Sequence, residues 1–422
     1  MKVFLFGIIY IICFITLTAQ TKTVTINGLV RNAENKEALP YANLITVPSN
    51  TGTTTDYSGN FNLSINASQL KDTVYVSFIG FEIQKFPVQD LKQNMNIDLI
   101  PITETLDEFV LTPLTPHEFM KNVARQLQQN TPNEPFSTLG YYTDLAKEND
   151  GFLGENHAVI KSYFPNLLDT TVKNQHQVVL YEERTELDDL VFMAKKRKKE
   201  EAKAKERRAE NGEDSTDFNI INPREMFGGL NEVVKQLSLN GDELFLDTNN
   251  FNKYDFQFNP TPIYTTEGNE ITLIHAKTKR RQDGFKANGK IYVDRNSMSI
   301  IKMEFRGDIR IPIYLKPILL LAGIGIQNPK LHYARNFEKM NDAWYPKNVF
   351  YTINLGLTEK KLFKKNTHSN FTIQQSFHIQ KYNLEQPKNI AKSKRYSDEK
   401  TIADQVFPDP NITWDMIKRV KF

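Results

Sequence analysis

Thr54-Thr55-Asp56-Tyr57-Ser58-Gly59-Asn60-Phe61 decides the fold of the first part of the chain. The Asp56 carboxylate is short enough to accept hydrogen bonds from backbone N–H groups just ahead of it, which favours a turn. Gly59 can take positive φ at no steric cost, and Phe61 then re-enters an apolar face. Alternation beyond the turn supports this reading. Phe61, Leu63 and Ile65 alternate with Asn60, Asn62 and Ser64, and Val74, Val76 and Phe78 alternate with Thr73, Tyr75 and Ser77. Met95, Ile97 and Leu99 repeat the pattern. A period of two puts one face in a core and the other in water, and short strands at this spacing predict a β-sandwich.

Further motifs frame this turn in a fixed order: Ile26-Asn27-Gly28-Leu29-Val30, Leu39-Pro40-Tyr41-Ala42-Asn43-Leu44 and Ser77-Phe78-Ile79-Gly80-Phe81. Together they resemble the carboxypeptidase-regulatory-like (transthyretin-like) β-sandwich, a module common in exported proteins of the Bacteroidetes. Leu106-Asp107-Glu108-Phe109-Val110-Leu111 resembles the strand that usually follows it. The resemblance implies an interaction or spacer module. It brings no protease with it, because no His is followed three residues later by Glu, and His117-Glu118 lacks the second His of a zinc helix.

The N-terminus has the layout of a signal peptide. Lys2 precedes an apolar run from Val3 to Leu17, and Thr18-Ala19-Gln20 offers a small residue for cleavage after Ala19. The run is shorter than the ~20 residues a spanning helix needs. The lone cysteine, Cys13, lies inside it, so cleavage would leave no disulfide, thiol nucleophile or thiolate metal site. A net charge of +3 is too small to argue for a nucleic-acid partner.

After the sandwich, Thr115 can cap a helix whose Phe119, Val123 and Leu127 share one face, with Pro116 at its first position. From Ala194 to Glu210 every residue is charged or Ala, and this reads as a solvated insertion rather than a lipid or nucleic-acid site. Strands then recur. The hairpin from Gly289 to Phe305, turning at Asp294–Ser297, is the clearest, and Trp344-Tyr345-Pro346 leads into another strand. This pairing resembles the lipoprotein-carrier (LolA-like) type of curved antiparallel sheet wrapped on helices.

The predicted fold class is mainly β: an N-terminal transthyretin/Ig-like β-sandwich followed by an α+β domain dominated by a curved antiparallel sheet. The division is a signal peptide over 1–19, the sandwich over 20–100 and a linker strand over 101–115. A helix and strands open the second domain over 116–193, and a charged flexible insertion fills 194–218. The antiparallel remainder covers 219–385, and a C-terminal tail covers 386–422.

Chemistry is sparse. Gly284-Phe285-Lys286-Ala287-Asn288-Gly289-Lys290 has the spacing of a phosphate-binding loop, but Ile291 replaces the required Ser or Thr and opens a strand. No catalytic, cofactor or metal residues are predicted. The apolar run Ile318-Leu319-Leu320-Leu321-Ala322-Gly323-Ile324-Gly325-Ile326 has two readings. A buried core strand is the expectation. The alternative is the lining of a cavity for an apolar ligand, with Ile318, Leu319, Leu320, Leu321, Ile324 and Ile326 as contacts. A TonB-dependent receptor, which often carries this sandwich, would need more chain for its barrel of about 22 strands. The expected function is a non-catalytic cell-envelope protein, exported to the periplasm or the periplasmic face of the outer membrane. It would bind an envelope protein or an apolar ligand, with peripheral contact to the outer membrane and no nucleic acid. The alternatives are a periplasmic lipid or lipoprotein carrier and an exported hydrolase with an unrecognised site.

Overall fold

The computed structural model describes residues 23–49, 51–102, 114–149, 151–167, 172–185, 229–238, 244–260, 263–265, 269–282, 284–311, 315–321, 323–360, 365–397, 400–417 and 420–421, besides Asp169 and Phe192. The expected signal peptide (1–19), most of the linker strand (101–115) and the charged insertion (194–218) lie outside these residues.

Alternation becomes strands where the sequence places it. The sandwich comprises β1 (Thr23–Asn32), β2 (Asn43–Val47), β3 (Gly52–Thr54), β4 (Asn60–Asn66), β5 (Thr73–Ser77), β6 (Gln84–Pro87) and β7 (Met95–Leu99). One sheet runs β4-β1-β7, with β1 and β7 parallel, and the other includes β3-β2-β5-β6. Val30, Phe61, Leu63 and Ile97 from the first sheet meet Leu44, Val74 and Val76 from the second. The deciding turn has the expected chemistry. Asp56 Oδ1 accepts the N–H of Ser58 at 2.8 Å and of Asn60 at 2.9 Å, and Gly59 sits at φ +81°. Phe61 is 1% exposed, and such burial contributes roughly 1.5–3 kcal/mol.

Helix α1 (Pro116–Asn130) begins as its sequence directs. The Thr115 hydroxyl accepts the Glu118 N–H at 3.2 Å, and the Glu118 carboxylate accepts the Thr115 N–H at 2.9 Å. Beyond it lie β8 (Phe136–Glu148), β9 (Gly151–Phe164) and β10 (Gln175–Thr185). After α2 (Gly229–Lys235) come β11 (Tyr254–Phe258), β12 (Ile263–Tyr264), β13 (Glu270–Thr278), β14 (Phe285–Asp294) and β15 (Ser299–Ile309). Helix α3 (Leu315–Leu321) precedes β16 (Ile324–Met340), β17 (Ala343–Glu359) and β18 (Thr367–Asn383).

These strands form one curved antiparallel sheet in the order β10-β9-β8-β18-β17-β16-β15-β14-β13-β11, with β12 paired to β13. Neighbours in space are neighbours in sequence except twice: β18 returns to pair with β8, and β11 pairs with β13 because β12 lies off this path. β10 and β11, consecutive in the chain, stand at opposite edges. Helices α1 and α2 cover one face. Phe119, Met120 and Val123 of α1 and Leu230, Val233 and Val234 of α2 share a core with Tyr142, Ile160, Ile274, Met303 and Phe377. Arg335 of β16 donates to Gln236 O at 3.0 Å and Ser238 O at 2.9 Å, carbonyls of the turn that follows α2.

One expectation is corrected. The run from Ile318 is not a continuous core strand: it is the end of α3, then a turn, and the strand begins only at Ile324. Gly323 at φ +70° donates to Leu320 O at 3.0 Å and stops the helix in the left-handed region. Leu320 is 63% exposed and Leu321 89%, while Ile324 is buried.

The C-terminal tail is docked. Tyr396 N donates to His176 O at 2.7 Å, and Phe407 N donates to Val178 O at 2.8 Å, so the tail follows the β10 edge. Ile412, Trp414 and Ile417 then pack on Tyr141, Val159 and Val179, on the face away from the helices. The last strand, β19 (Val420–Lys421), pairs parallel with β3 and joins the sandwich.

Two stability outcomes follow. Gly59→Val should lower the stability of the folded chain by on the order of 1–3 kcal/mol, because a β-branched residue resists positive φ and an added Cβ would lie 2.8 Å from Val30 O. A thermal unfolding curve identical to wild type would contradict the turn. His176 is buried against Phe164, with its Nδ1 2.8 Å from Ser162 Oγ, and burial pushes its pKa down to about 4. The unfolded histidine takes its proton near pH 6.5 and the folded one resists until about 4. Its stabilising contribution is therefore complete above 6.5 and declines as pH falls through that window. His176→Gln should flatten this acid limb by up to roughly 2–3 kcal/mol, read from melting temperatures between pH 7 and 4.

Candidate functional site

Strand alternation gives the large sheet two different faces. Ile274, Ile291, Met303, Phe305 and Tyr333 point into the helix-side core. The residues between them point to the sandwich. Tyr41 stacks on Phe350 with ring centroids 4.8 Å apart, and Ala334 completes that contact. Ile79 packs with Ile271, Leu273 and Tyr292. Between these contacts Lys302 is enclosed. Its Nζ lies 3.0 Å from Glu304 Oε2, 4.0 Å from the centre of the Phe78 ring and 3.4 Å from Pro40 O. Burial lowers the Lys302 pKa, and the adjacent Glu304 carboxylate opposes that shift.

Beside this contact the two parts diverge and leave a cleft of about 660 Å³. The sandwich contributes Glu37, Tyr41, Tyr57 and Ser58 to its walls, and the sheet contributes side chains of β11 and β13–β16. The Asp56 turn delivers Tyr57, whose ring lies 4.2 Å from that of His332. Burial, with Arg306 and Lys330 nearby, lowers the His332 pKa to about 4, so its imidazole is neutral at pH 7. His275 is lowered by burial and by Lys290.

Most charges around the cleft are matched. Lys290 meets Glu37 at 2.9 Å, Lys302 meets Glu304, and Lys277 and Lys279 flank Asp255 at 3.8 and 3.6 Å. Arg306 differs: it donates to Asn288 Oδ1 at 3.0 Å and has no carboxylate partner among the described residues. Aromatic surfaces, neutral imidazoles and one such guanidinium suit recognition of a polar ligand carrying an anionic group. Among the described residues no three His, Cys, Asp or Glu side chains gather as a metal site.

The residues singled out from sequence divide between two places. Asp56, Gly59 and Phe61 form the turn that carries Tyr57 and Ser58 to the cleft. Leu319, Leu320, Ile324 and Ile326 line a separate open groove of about 590 Å³ at the far rim of the sheet, and Leu321 projects beside it. The backbone of Ile318 is in α3, and its side chain lies outside the described residues. Sequence reasoning missed Arg306, His332 and Tyr41. The polar positions interleaved with the core residues of β13–β16 were the available signal, but they do not say which polar face is covered.

Comparison with known proteins bears mainly on the sandwich. The CarboxypepD_reg-like domain profile matches residues 26–111. The TonB-dependent receptor SusC of Bacteroides thetaiotaomicron is 36% identical over 98 residues, covering 23% of this chain. The chain spans only 9% of that receptor's length. Among solved structures, a Bacteroides fragilis protein described as membrane-associated and of unknown function aligns over 85% of this chain and 98% of its own, at 12% identity and a TM-score of 0.16. A DUF1329 family protein from Desulfovibrio piger aligns over 63% of this chain and 94% of its own, at 8% identity and a TM-score of 0.21. Overlaps at these scores do not establish a shared fold. Residues 26–111, which include the Asp56 turn, are a CarboxypepD_reg-like domain.

Proposed function

We propose that this chain is a non-catalytic cell-envelope protein that binds a polar partner or ligand in the cleft between its CarboxypepD_reg-like domain and the large sheet. The carrying observation is that the cleft is built from both parts, with Arg306 left without a carboxylate partner among the described residues. The signal-peptide layout of 1–19 and the sandwich's similarity to part of a TonB-dependent receptor support an envelope location. No helix among the described residues is long and apolar enough to cross a membrane.

The two rival readings have less support. A carrier needs an acyl-sized space between sheet and helices. The hollow beside Val123, Leu127 and Leu237 measures about 20 Å³, room for about one water. A hydrolase needs an accessible nucleophile and base. Ser162 and His176 are in contact at 2.8 Å, but both are buried and neither lines the cleft or the rim groove.

The test is to express the full chain with its leader, recover it from the envelope fraction and examine it by native mass spectrometry. The expected result is a co-purified mass that is lost in Arg306→Glu at an unchanged melting temperature. Recovery from the cytosol, or a variant that carries the same mass as wild type, would overturn the reading.

A further inference from the structure

We propose that the rim of the sheet around α3 is a membrane-docking tip that seats Leu320 and Leu321 in the headgroup region of a bilayer containing anionic lipid. The inference deepens the envelope reading by naming a surface and its partner, and it does not depend on the cleft.

Leu320 and Leu321 are the two most exposed large apolar side chains among the described residues, at 63% and 89%. They are adjacent, and helix and turn geometry holds them outward. Gly323 ends α3 at φ +70°, and its carbonyl accepts the Lys360 N–H at 2.7 Å, tying the tip to the end of β17. Ile324 and Ile326 floor the groove behind them. A folded chain that presents two adjacent leucines to water loses the benefit of burying them, so such a feature marks a surface that something covers.

Charge indicates what covers it. The groove is ringed by Arg281, Arg310, Lys316 and Lys360, and among the described residues no carboxylate lines it. None of these four has a carboxylate partner among the described residues; Arg281 donates only to the backbone carbonyls of Asp308 at 2.9 Å and Gly284 at 3.4 Å. Around the cleft, by contrast, nearly every lysine is matched with an acid. Cations around protruding leucines match an anionic lipid surface: the leucines enter the apolar boundary while the cations stay among the phosphates. A protein partner would be expected to meet a broader apolar patch than two side chains. A second copy of the chain would bring the same four cations face to face.

The experiment is cosedimentation of the full chain with vesicles of phosphatidylethanolamine and phosphatidylglycerol, against vesicles of phosphatidylcholine alone. Wild type should bind the anionic vesicles at least about tenfold more tightly, and salt should weaken that binding. Leu320→Ser with Leu321→Ser, and separately Lys316→Glu with Lys360→Glu, should each cut binding about tenfold or more while leaving the melting temperature unchanged, since these side chains are exposed. Arg306→Glu in the cleft should bind vesicles as wild type does, which separates failure of this inference from failure of the cleft reading. Equal binding to both vesicle types, or leucine variants that bind like wild type, would overturn it. So would a wild-type dimer in solution that the leucine pair abolishes.

Discussion

Lys302, buried, and Glu304, partly buried at the cleft wall, form an ion pair at the junction of sandwich and sheet, and the arrangement of the molecule depends on it. Removing two charges from water costs several kcal/mol each unless the pair is well supplied with further contacts. Here the Phe78 ring and the Pro40 carbonyl from the sandwich surround the ammonium, and the Tyr292 hydroxyl reaches the carboxylate at 3.5 Å. The compensating groups come from both parts of the chain. Separating the sandwich from the sheet would expose an ammonium already positioned for the other part, and sliding one over the other would strand it. Apolar contacts such as Tyr41 on Phe350 and Ile79 on Leu273 add attraction but little direction. The charged pair supplies the direction.

The same junction determines which face of the sheet is open. The helix side is filled by α1, α2 and aromatic side chains such as Phe245 and Phe251. Beside Val123, Leu127 and Leu237 the described residues pack closely enough to leave room for about one water. The other face is shared between the sandwich, the docked tail and the cleft. Because the tail ends as β19 beside β3, the chain closes on itself, and the sandwich is held both through Lys302 and through the C-terminus. A cleft assembled from two parts held in this way is preorganised, which would reduce the ordering cost of the proposed binding.

The lone correction among the sequence expectations is instructive. The run from Ile318 to Ile326 is apolar enough for a core strand, and a short apolar run does not distinguish strand from helix by periodicity. Pro312 and Pro317 signal an interruption, and Gly323 ends the helix, but nothing local says that the leucines face water. That outcome depends on where the β15–β16 connection lies relative to the sheet. At the rim no second layer among the described residues buries them.

The residues of the chain themselves determined the sandwich, its Asp56–Gly59 turn, the capping box of α1 and the hairpin from Gly289 to Phe305. Each rests on interactions within a few residues: a carboxylate reaching nearby N–H groups, a glycine accepting positive φ, side chains alternating across a pleat. Tertiary structure decided the docking of Tyr41 on Phe350, the pairing of the tail with β3, the cleft around Arg306 and the exposure of Leu320 and Leu321. The contacts among these join residues hundreds of positions apart, and the exposure depends on where the β15–β16 connection lies, so no local pattern encodes them. Alternation states that Lys302 and Leu273 share the face opposite the helices, and only the folded chain states what lies over that face.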